Sequence, residues 1–365
     1  MKKILFGITS LTLGGAERVL VDLANELSNK YEITIFTIYA NGELEKQVSK
    51  NIKLKSLYNI QYAELSKIKK VLIPLKILLS KKHIYNKYIK KDYDVEIAFL
   101  EGPITRLFSV NNNVKKIAWI HNDISLVFGE NLKSKLKKVI DKKIYSKYET
   151  LVFVSKDNME KYKKIYKDNV NKEVIYNYIN KESVIEKANM TCDIEFDNSI
   201  INFVTVARLV PQKGIDRLIN VHERLITNGK MHNFYVVGDG PEREKLLEMV
   251  NERNLKNTFH LLGKKENPYP YIKKADYFCL LSNFEGYGMV LEEAKILGKP
   301  IIITDTAARE AVINYKNSVI TKNTEEGIYD ELEKIISNNK KVCEIENNEY
   351  NNIKIIEKVE KLVGE

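Results

Sequence analysis

Ser282-Asn283-Phe284-Glu285-Gly286-Tyr287-Gly288-Met289-Val290-Leu291-Glu292-Glu293-Ala294 follows an apolar run at residues 277–281 and leads into helical spacing that continues to residue 297. The segment reads as strand, glycine-flanked loop, helix. Glu285 lies in the loop, and Glu293 comes eight residues later, two turns into the helix. Gly286 and Gly288 allow close backbone approach, so their N–H groups suit phosphate or sugar oxygens. Carboxylates such as Glu285 and Glu293 accept hydrogen bonds from sugar hydroxyls. Glu292, adjacent to Glu293, is expected to point away from it, toward solvent.

The same rhythm of short apolar strands and amphipathic helices extends on both sides. Toward the N-terminus it predicts strands at 202–207, 234–237 and 259–262 and helices at 215–227 and 242–253; beyond the loop it predicts a strand at 301–304. An earlier series has strands at 4–9, 33–39, 95–100, 116–120 and 151–155, a helix at 17–28, and an end at 173–176. Residues 180–199 are polar and aperiodic and read as a linker. This is the βαβ pattern of parallel sheets covered on both faces. The expectation is two Rossmann-like, doubly wound α/β domains, 1–180 and 181–345. A C-terminal segment, 346–365, carries an amphipathic helix at 351–363 expected to pack back on the first domain. Ligands of such sheets sit beyond the carboxyl ends of the strands, so the expected site is the cleft where the two domains face one another.

Two more motifs fall at strand ends. Val206-Ala207-Arg208-Leu209-Val210-Pro211-Gln212-Lys213-Gly214 puts two cations around a turn that opens a helix, which suits a diphosphate. Leu13-Gly14-Gly15-Ala16-Glu17-Arg18 places two glycines at a helix N-terminus, an arrangement that exposes N–H groups to an anion. The dinucleotide fingerprint G-x-G-x-x-G is missing there, which counts against a nicotinamide oxidoreductase. His121, in Trp119-Ile120-His121-Asn122-Asp123, follows a strand directly and is a candidate by position.

Together these blocks resemble the family 4 (group 1) retaining glycosyltransferases of the GT-B fold, from residue 3 to about residue 340. The Glu-x7-Glu spacing is the most specific part. The family pattern Glu-Gly-Phe-Gly, helix, Glu-Ala stands here as Glu285-Gly286-Tyr287-Gly288 and Glu293-Ala294. Arg208 and Lys213 match the family's diphosphate-binding pair, Val237-Gly238-Asp239-Gly240-Pro241 its structural glycine turn, and Gly14 and Gly15 the loop near donor phosphate and acceptor. His121 matches a position near the transferred sugar, and Asn177 a family Asn at the interdomain boundary. The chain departs from the pattern at Met289-Val290, at Tyr178, and at Asp305-Thr306-Ala307-Ala308-Arg309-Glu310, where a Gly-Gly turn is usual.

The resemblance implies a hexosyl transfer from a nucleotide-sugar, UDP by family frequency, with retained configuration, no metal and no cofactor. Arg208, Lys213, Glu285 and His121 would carry the chemistry. Gly14, Gly15, Asn177, Gly286, Tyr287, Gly288 and Glu293 would bind substrate. A lipid-linked or oligosaccharide acceptor, in cell-envelope or capsular polysaccharide synthesis, is typical of such enzymes. The alternatives are a non-catalytic GT-B partner subunit, which should have lost some of these residues, and a nucleotide-sugar epimerase, which needs no acceptor.

Composition narrows the setting. The chain has 365 residues, 44% hydrophobic and 30% charged, an ordinary globular balance. No apolar run approaches the ~20 residues a spanning helix needs, and the N-terminus lacks a cleavage site for a signal peptide. Cys192, Cys279 and Cys343 are widely spaced and odd in number, which points to reduced thiols in a cytoplasmic protein. The net charge of +10 is concentrated in the first half. Residues 66–91 carry Lys67, Lys69, Lys70, Lys76, Lys81, Lys82, Lys87, Lys90 and Lys91 with no acidic residue. A second block holds Lys133, Lys135, Lys137, Lys138, Lys142, Lys143 and Lys147, broken by Asp141. Either block reads as a solvated helix face or as a patch for an anionic membrane. No nucleic-acid recognition motif accompanies them. The expectation is a cytoplasmic protein, peripheral on the inner membrane face.

Overall fold

The computed structural model describes residues 1–89, 92–110, 113–122, 132–338 and 352–364, with side chains omitted at 132–136. Lys90, Lys91, Asp123 and Cys343, and the side chains of Lys133 and Lys135, lie outside the described residues. The chain divides into two compact units, Met1–Ile179 with Asn352–Glu365, and Asn180–Asn351.

The first unit holds a seven-stranded sheet. Its strands are β1 (Lys3–Ile8), β2 (Glu32–Tyr39), β3 (Lys53–Tyr58), β4 (Val95–Ala98), β5 (Lys115–Ile120), β6 (Thr150–Phe153) and β7 (Asn171–Val174). They lie in the order β3-β2-β1-β4-β5-β6-β7, and every pair is parallel. The second unit repeats the plan with six strands: β8 (Ile201–Val206), β9 (His232–Val237), β10 (Phe259–Gly263), β11 (Tyr277–Leu280), β12 (Ile301–Thr304) and β13 (Ser318–Thr321). Their order is β10-β9-β8-β11-β12-β13, again parallel throughout. In both sheets the strand order reverses beside the first strand, between β1 and β4 and between β8 and β11. Each unit is a doubly wound domain, and the fold class is GT-B.

Central strands are apolar on both faces because helices cover both. β12, Ile-Ile-Ile-Thr, is buried at every position. The helix Ile215–Thr227 buries Ile215, Leu218, Ile219, His222 and Leu225, a stripe at helical spacing that packs on the second sheet. Each such aliphatic side chain contributes about 1.5–3 kcal/mol by leaving water.

Three sequence expectations change. Lys53–Tyr58 is an added edge strand whose first four residues are exposed, so its Lys-Leu-Lys pattern carries no buried alternation. Ser318–Thr321 closes the opposite edge of the second sheet. Residues 181–188, inside the stretch read as linker, form the helix Lys181–Ala188. Asn180 caps it by accepting from the Ser183 N–H at 2.8 Å, and only Val184 and Ala188 are buried, too few to show a period. The first basic block, read as helical, is the helix Lys67–Tyr88, which runs through Pro74 and is kinked at Ser80.

Candidate active site

The richest cluster lies at the carboxyl edge of the second sheet, where the loops after β8 and β11 are neighbours because their strands pair. This is the topological switch point, where open α/β sheets bind ligands. The first loop carries Arg208 and Lys213, the second Glu285. Lys213 Nζ donates to Glu285 Oε2, tying the two loops across their mouth. Ser282 Oγ donates to the same carboxylate oxygen at 3.3 Å. Gln212 Nε2 reaches the Phe284 carbonyl at 3.1 Å, and Asn283 Nδ2 the Pro211 carbonyl at 2.8 Å. The Asn283 N–H returns to the Gln212 carbonyl at 2.9 Å. The loops are thus locked to each other before any ligand arrives.

Arg208 differs from its neighbours. It is exposed, and its guanidinium has no partner among the described residues. The backbone beneath it is braced by the glycine turn after β9. The Leu209 N–H donates to the Asp239 carbonyl at 3.0 Å, and a Cβ on Gly238 or Gly240 would collide with the carbonyls of Ala207 or Leu209. Those two glycines therefore serve packing, and they hold a cation outward without touching it.

Gly288 caps the helix Met289–Ile296 with φ of +71°, a left-handed conformation that glycine adopts without strain. At Gly286 a Cβ would meet nothing within 4 Å, so the backbone is open there to an approaching group. Within the helix Glu293 is buried, and its Oε1 accepts from the Tyr269 hydroxyl at 2.9 Å. Glu292 corrects the expectation of a solvent-facing residue: it is 3% exposed. The Tyr287 hydroxyl donates to it at 2.6 Å, and Lys295 pairs with it at 2.7 Å. Turned about 100° from Glu293 on the helix, it meets protein rather than water. Tyr287 is itself buried, its hydroxyl committed to Glu292.

The remaining candidates sit on the carboxyl edge of the first sheet. Gly14 is the N-cap of the helix Gly15–Leu27. A Cβ there would collide with the carboxylate of Glu17, which folds back over the helix N-terminus, where the dipole favours an anion. Burial pushes the Glu17 carboxyl up, partly offset by a bond from its own N–H. His121 follows β5 and lies against Phe99, ring centroids 4.8 Å apart. Burial pushes it down to about 3, so the imidazole is neutral. Its Nε2 is buried with no hydrogen-bond partner among the described residues. Asn177 is buried beyond the end of β7. The structure thus gathers Arg208, Lys213, Glu285, Gly286, Gly288 and Glu293 in the second unit, and places Gly14, Gly15, His121 and Asn177 in the first.

Glu101 is a further candidate that sequence reasoning missed. It follows β4 and accepts from the Asn122 N–H at 2.7 Å and from Asn122 Nδ2 at 3.0 Å. The His121 N–H also reaches it, and burial raises its carboxyl above the ordinary range despite these bonds. It therefore fixes the backbone that carries His121. The only signal was an acidic residue at a strand end before Gly102-Pro103.

Two parallel doubly wound sheets, with glycine- and cation-bearing loops at the switch point of the second, are the GT-B fold. Residues 193–352 match the family described as Glycosyl transferases group 1. It is 29% identical over 328 residues to the N-acetylgalactosamine-N,N'-diacetylbacillosaminyl-diphospho-undecaprenol 4-alpha-N-acetylgalactosaminyltransferase of Campylobacter jejuni, covering 85% of this chain and 83% of that one. It is 28% identical over 213 residues to an uncharacterized glycosyltransferase of Methanocaldococcus jannaschii, covering 57% of this chain and about half, 52%, of that relative. The fold matches that of Anabaena HepE, solved with UDP and glucose, with TM-score 0.73 at 17% identity over 99% of both chains.

Proposed function

We propose that the protein moves a hexosyl unit from a nucleotide-sugar, with UDP as carrier, to a lipid-linked or glycan acceptor, retaining the anomeric configuration and using no metal. The observation that carries this reading is the outward guanidinium of Arg208 beside the locked Lys213–Glu285 pair, at the switch point of the second sheet. Arg208 and Lys213 supply fixed positive charge where the diphosphate leaves, the kind of contribution that is usually the largest in catalysis. Open backbone at Gly286 lets amides approach the same group. Glu293 accepts from the ribose hydroxyls and is held for this by Tyr269. Once the diphosphate takes Lys213, Glu285 is released to the sugar. The leaving phosphate takes the acceptor proton, so the reaction needs no flanking pair of hydrolase carboxylates.

The Campylobacter relative, whose name carries a diphospho-undecaprenol acceptor, and HepE, solved with UDP and glucose, support the lipid-linked acceptor and the UDP donor. The setting is envelope or capsular polysaccharide synthesis at the inner face of the membrane, with the basic first unit facing anionic lipid. The test is binding and slow hydrolysis of a panel of UDP- and GDP-sugars, with Arg208→Ala and Glu293→Ala alongside. One donor bound by the wild type and lost in both variants upholds the reading. A protein that binds no nucleotide-sugar is instead a non-catalytic partner, and one that epimerises the free donor is an epimerase.

A further inference from the structure

The helix Lys67–Tyr88 has two apolar faces, and only one of them is covered. The inner face is fixed: Ile77, Ile84 and Tyr85 are buried in the first unit's core. The Tyr85 hydroxyl donates to Glu96 on β4, and Lys81 Nζ donates to Ser109 Oγ at 2.8 Å. The outer face carries Ile68 (70% exposed), Val71 (69%), Leu72 (53%), Leu75 (48%) and Leu79 (77%). These fall at i, i+3, i+4, i+7 and i+11, one continuous stripe. Soluble surfaces rarely leave such a row uncovered without an occupant. A shallow apolar cavity of about 330 Å³, lined by Leu72, Leu75, Lys76 and Leu79 among others, opens on the same side. Exposed Lys67, Lys69, Lys76, Lys82 and Lys87 flank the stripe, and residues 66–89 contain no acidic side chain.

We infer that this helix inserts in the plane of an anionic bilayer, with the stripe from Ile68 to Leu79 in the acyl boundary and the lysines among the head groups. The charge decides the occupant. A second copy would set lysine against lysine, whereas an anionic lipid surface satisfies both the apolar stripe and its cationic borders. Ser80, with non-helical φ/ψ of −113° and 17°, bends the helix where the outward stripe ends. The helix is not a spanning segment, since no described helix is long and apolar enough to cross a membrane. This inference rests on the lipid-side part of the reading above and is independent of donor chemistry.

The test is flotation of the full chain with phosphatidylcholine vesicles containing or lacking phosphatidylglycerol, with UDP binding measured separately. Wild type is expected to float with the anionic vesicles. Leu72→Ser, Leu75→Ser and Leu79→Ser should each lower partition about tenfold, and Lys67→Gln, Lys69→Gln and Lys76→Gln about fivefold each. Only the lysine part should fade with salt. Because Trp119 is buried, Leu79→Trp adds an exposed reporter whose emission should shift to the blue on anionic vesicles. Unchanged flotation of the leucine variants overturns the inference, as does a wild-type dimer that these variants convert to monomer. Loss of UDP binding in the wild type with vesicle binding intact removes the transferase reading and leaves this one standing.

Discussion

The switch points of the two sheets have the same topology and opposite chemistry. Between β8 and β11 the loops present cations: Arg208 outward, Lys213 held by Glu285. Between β1 and β4 the loops present carboxylates turned onto amides, Glu17 over the helix at Gly15 and Glu101 on the His121 and Asn122 N–H groups, beside a neutral imidazole. A repeated fold therefore offers two comparable positions, and the side chains make one cationic and the other carboxylate-rich.

Predictions that test this contrast can be ordered by expected size. Arg208→Ala should lower donor turnover by about 10²–10³-fold, as loss of a transition-state donor does, with an unchanged melting temperature because the guanidinium supports no fold contact. Released UDP measures the rate; a tenfold or smaller loss would remove Arg208 from the charge-stabilising role. On the other side, His121→Ala should cost about 10–100-fold, at the low end of acid–base or positioning contributions. Glu101→Gln should cost less, since it keeps the shape and weakens the bonds to Asn122. If Glu101→Gln proved worse than His121→Ala, Glu101 would be acting on substrate rather than through His121.

The paired glycines separate binding from folding. Gly288→Ala meets positive φ and Leu280 and Leu291 atoms at 3.1 and 3.2 Å, so it should destabilise by about 1 kcal/mol. Gly286→Ala has room and should leave the denaturation midpoint unchanged while weakening donor binding. Equal melting shifts in both variants would contradict the open backbone at Gly286.

The smallest expected effect is pH dependence. In the second unit His222 Nδ1 lies 2.8 Å from His232 Nε2, and His222 Nε2 lies 2.9 Å from Thr258 Oγ1. Burial holds both rings neutral, pushing His222 to about 2 and His232 to about 4 from 6.5. The unfolded chain protonates both near pH 6.5, so stability is full above that pH and falls as pH drops toward 4. The first unit holds one comparable ring, His121. A calorimetric scan at successive pH values should therefore show the second unit's transition moving further, and His222→Phe with His232→Phe should flatten that slope. A transition indifferent to pH between 7 and 5 would mean that the folded pair takes up protons as readily as the unfolded chain.

Much of the scaffold was legible in the amino-acid order. Buried parallel strands are continuous apolar runs, so residues 301–304 or 234–237 announce themselves. Glycines and charges at strand ends mark the loops at 208–214 and 285–288. Lys53–Tyr58 stayed hidden because an edge strand buries little and its lysines resemble a loop. The helix Lys181–Ala188 hid because eight residues hold too few buried positions to show a period.

The sequence by itself determined the fold class and the residue types at the strand ends, since both follow from local periodicity and turn chemistry. Tertiary structure alone decided the state of each charged group. Nothing near Glu292 in the chain says that Tyr287 and Lys295 will bury it. Nor does Glu101 advertise that strand pairing will bring it beneath His121. The ionisation and reach of a carboxylate depend on partners brought close by folding, and those partners are set by strand order rather than by sequence neighbourhood.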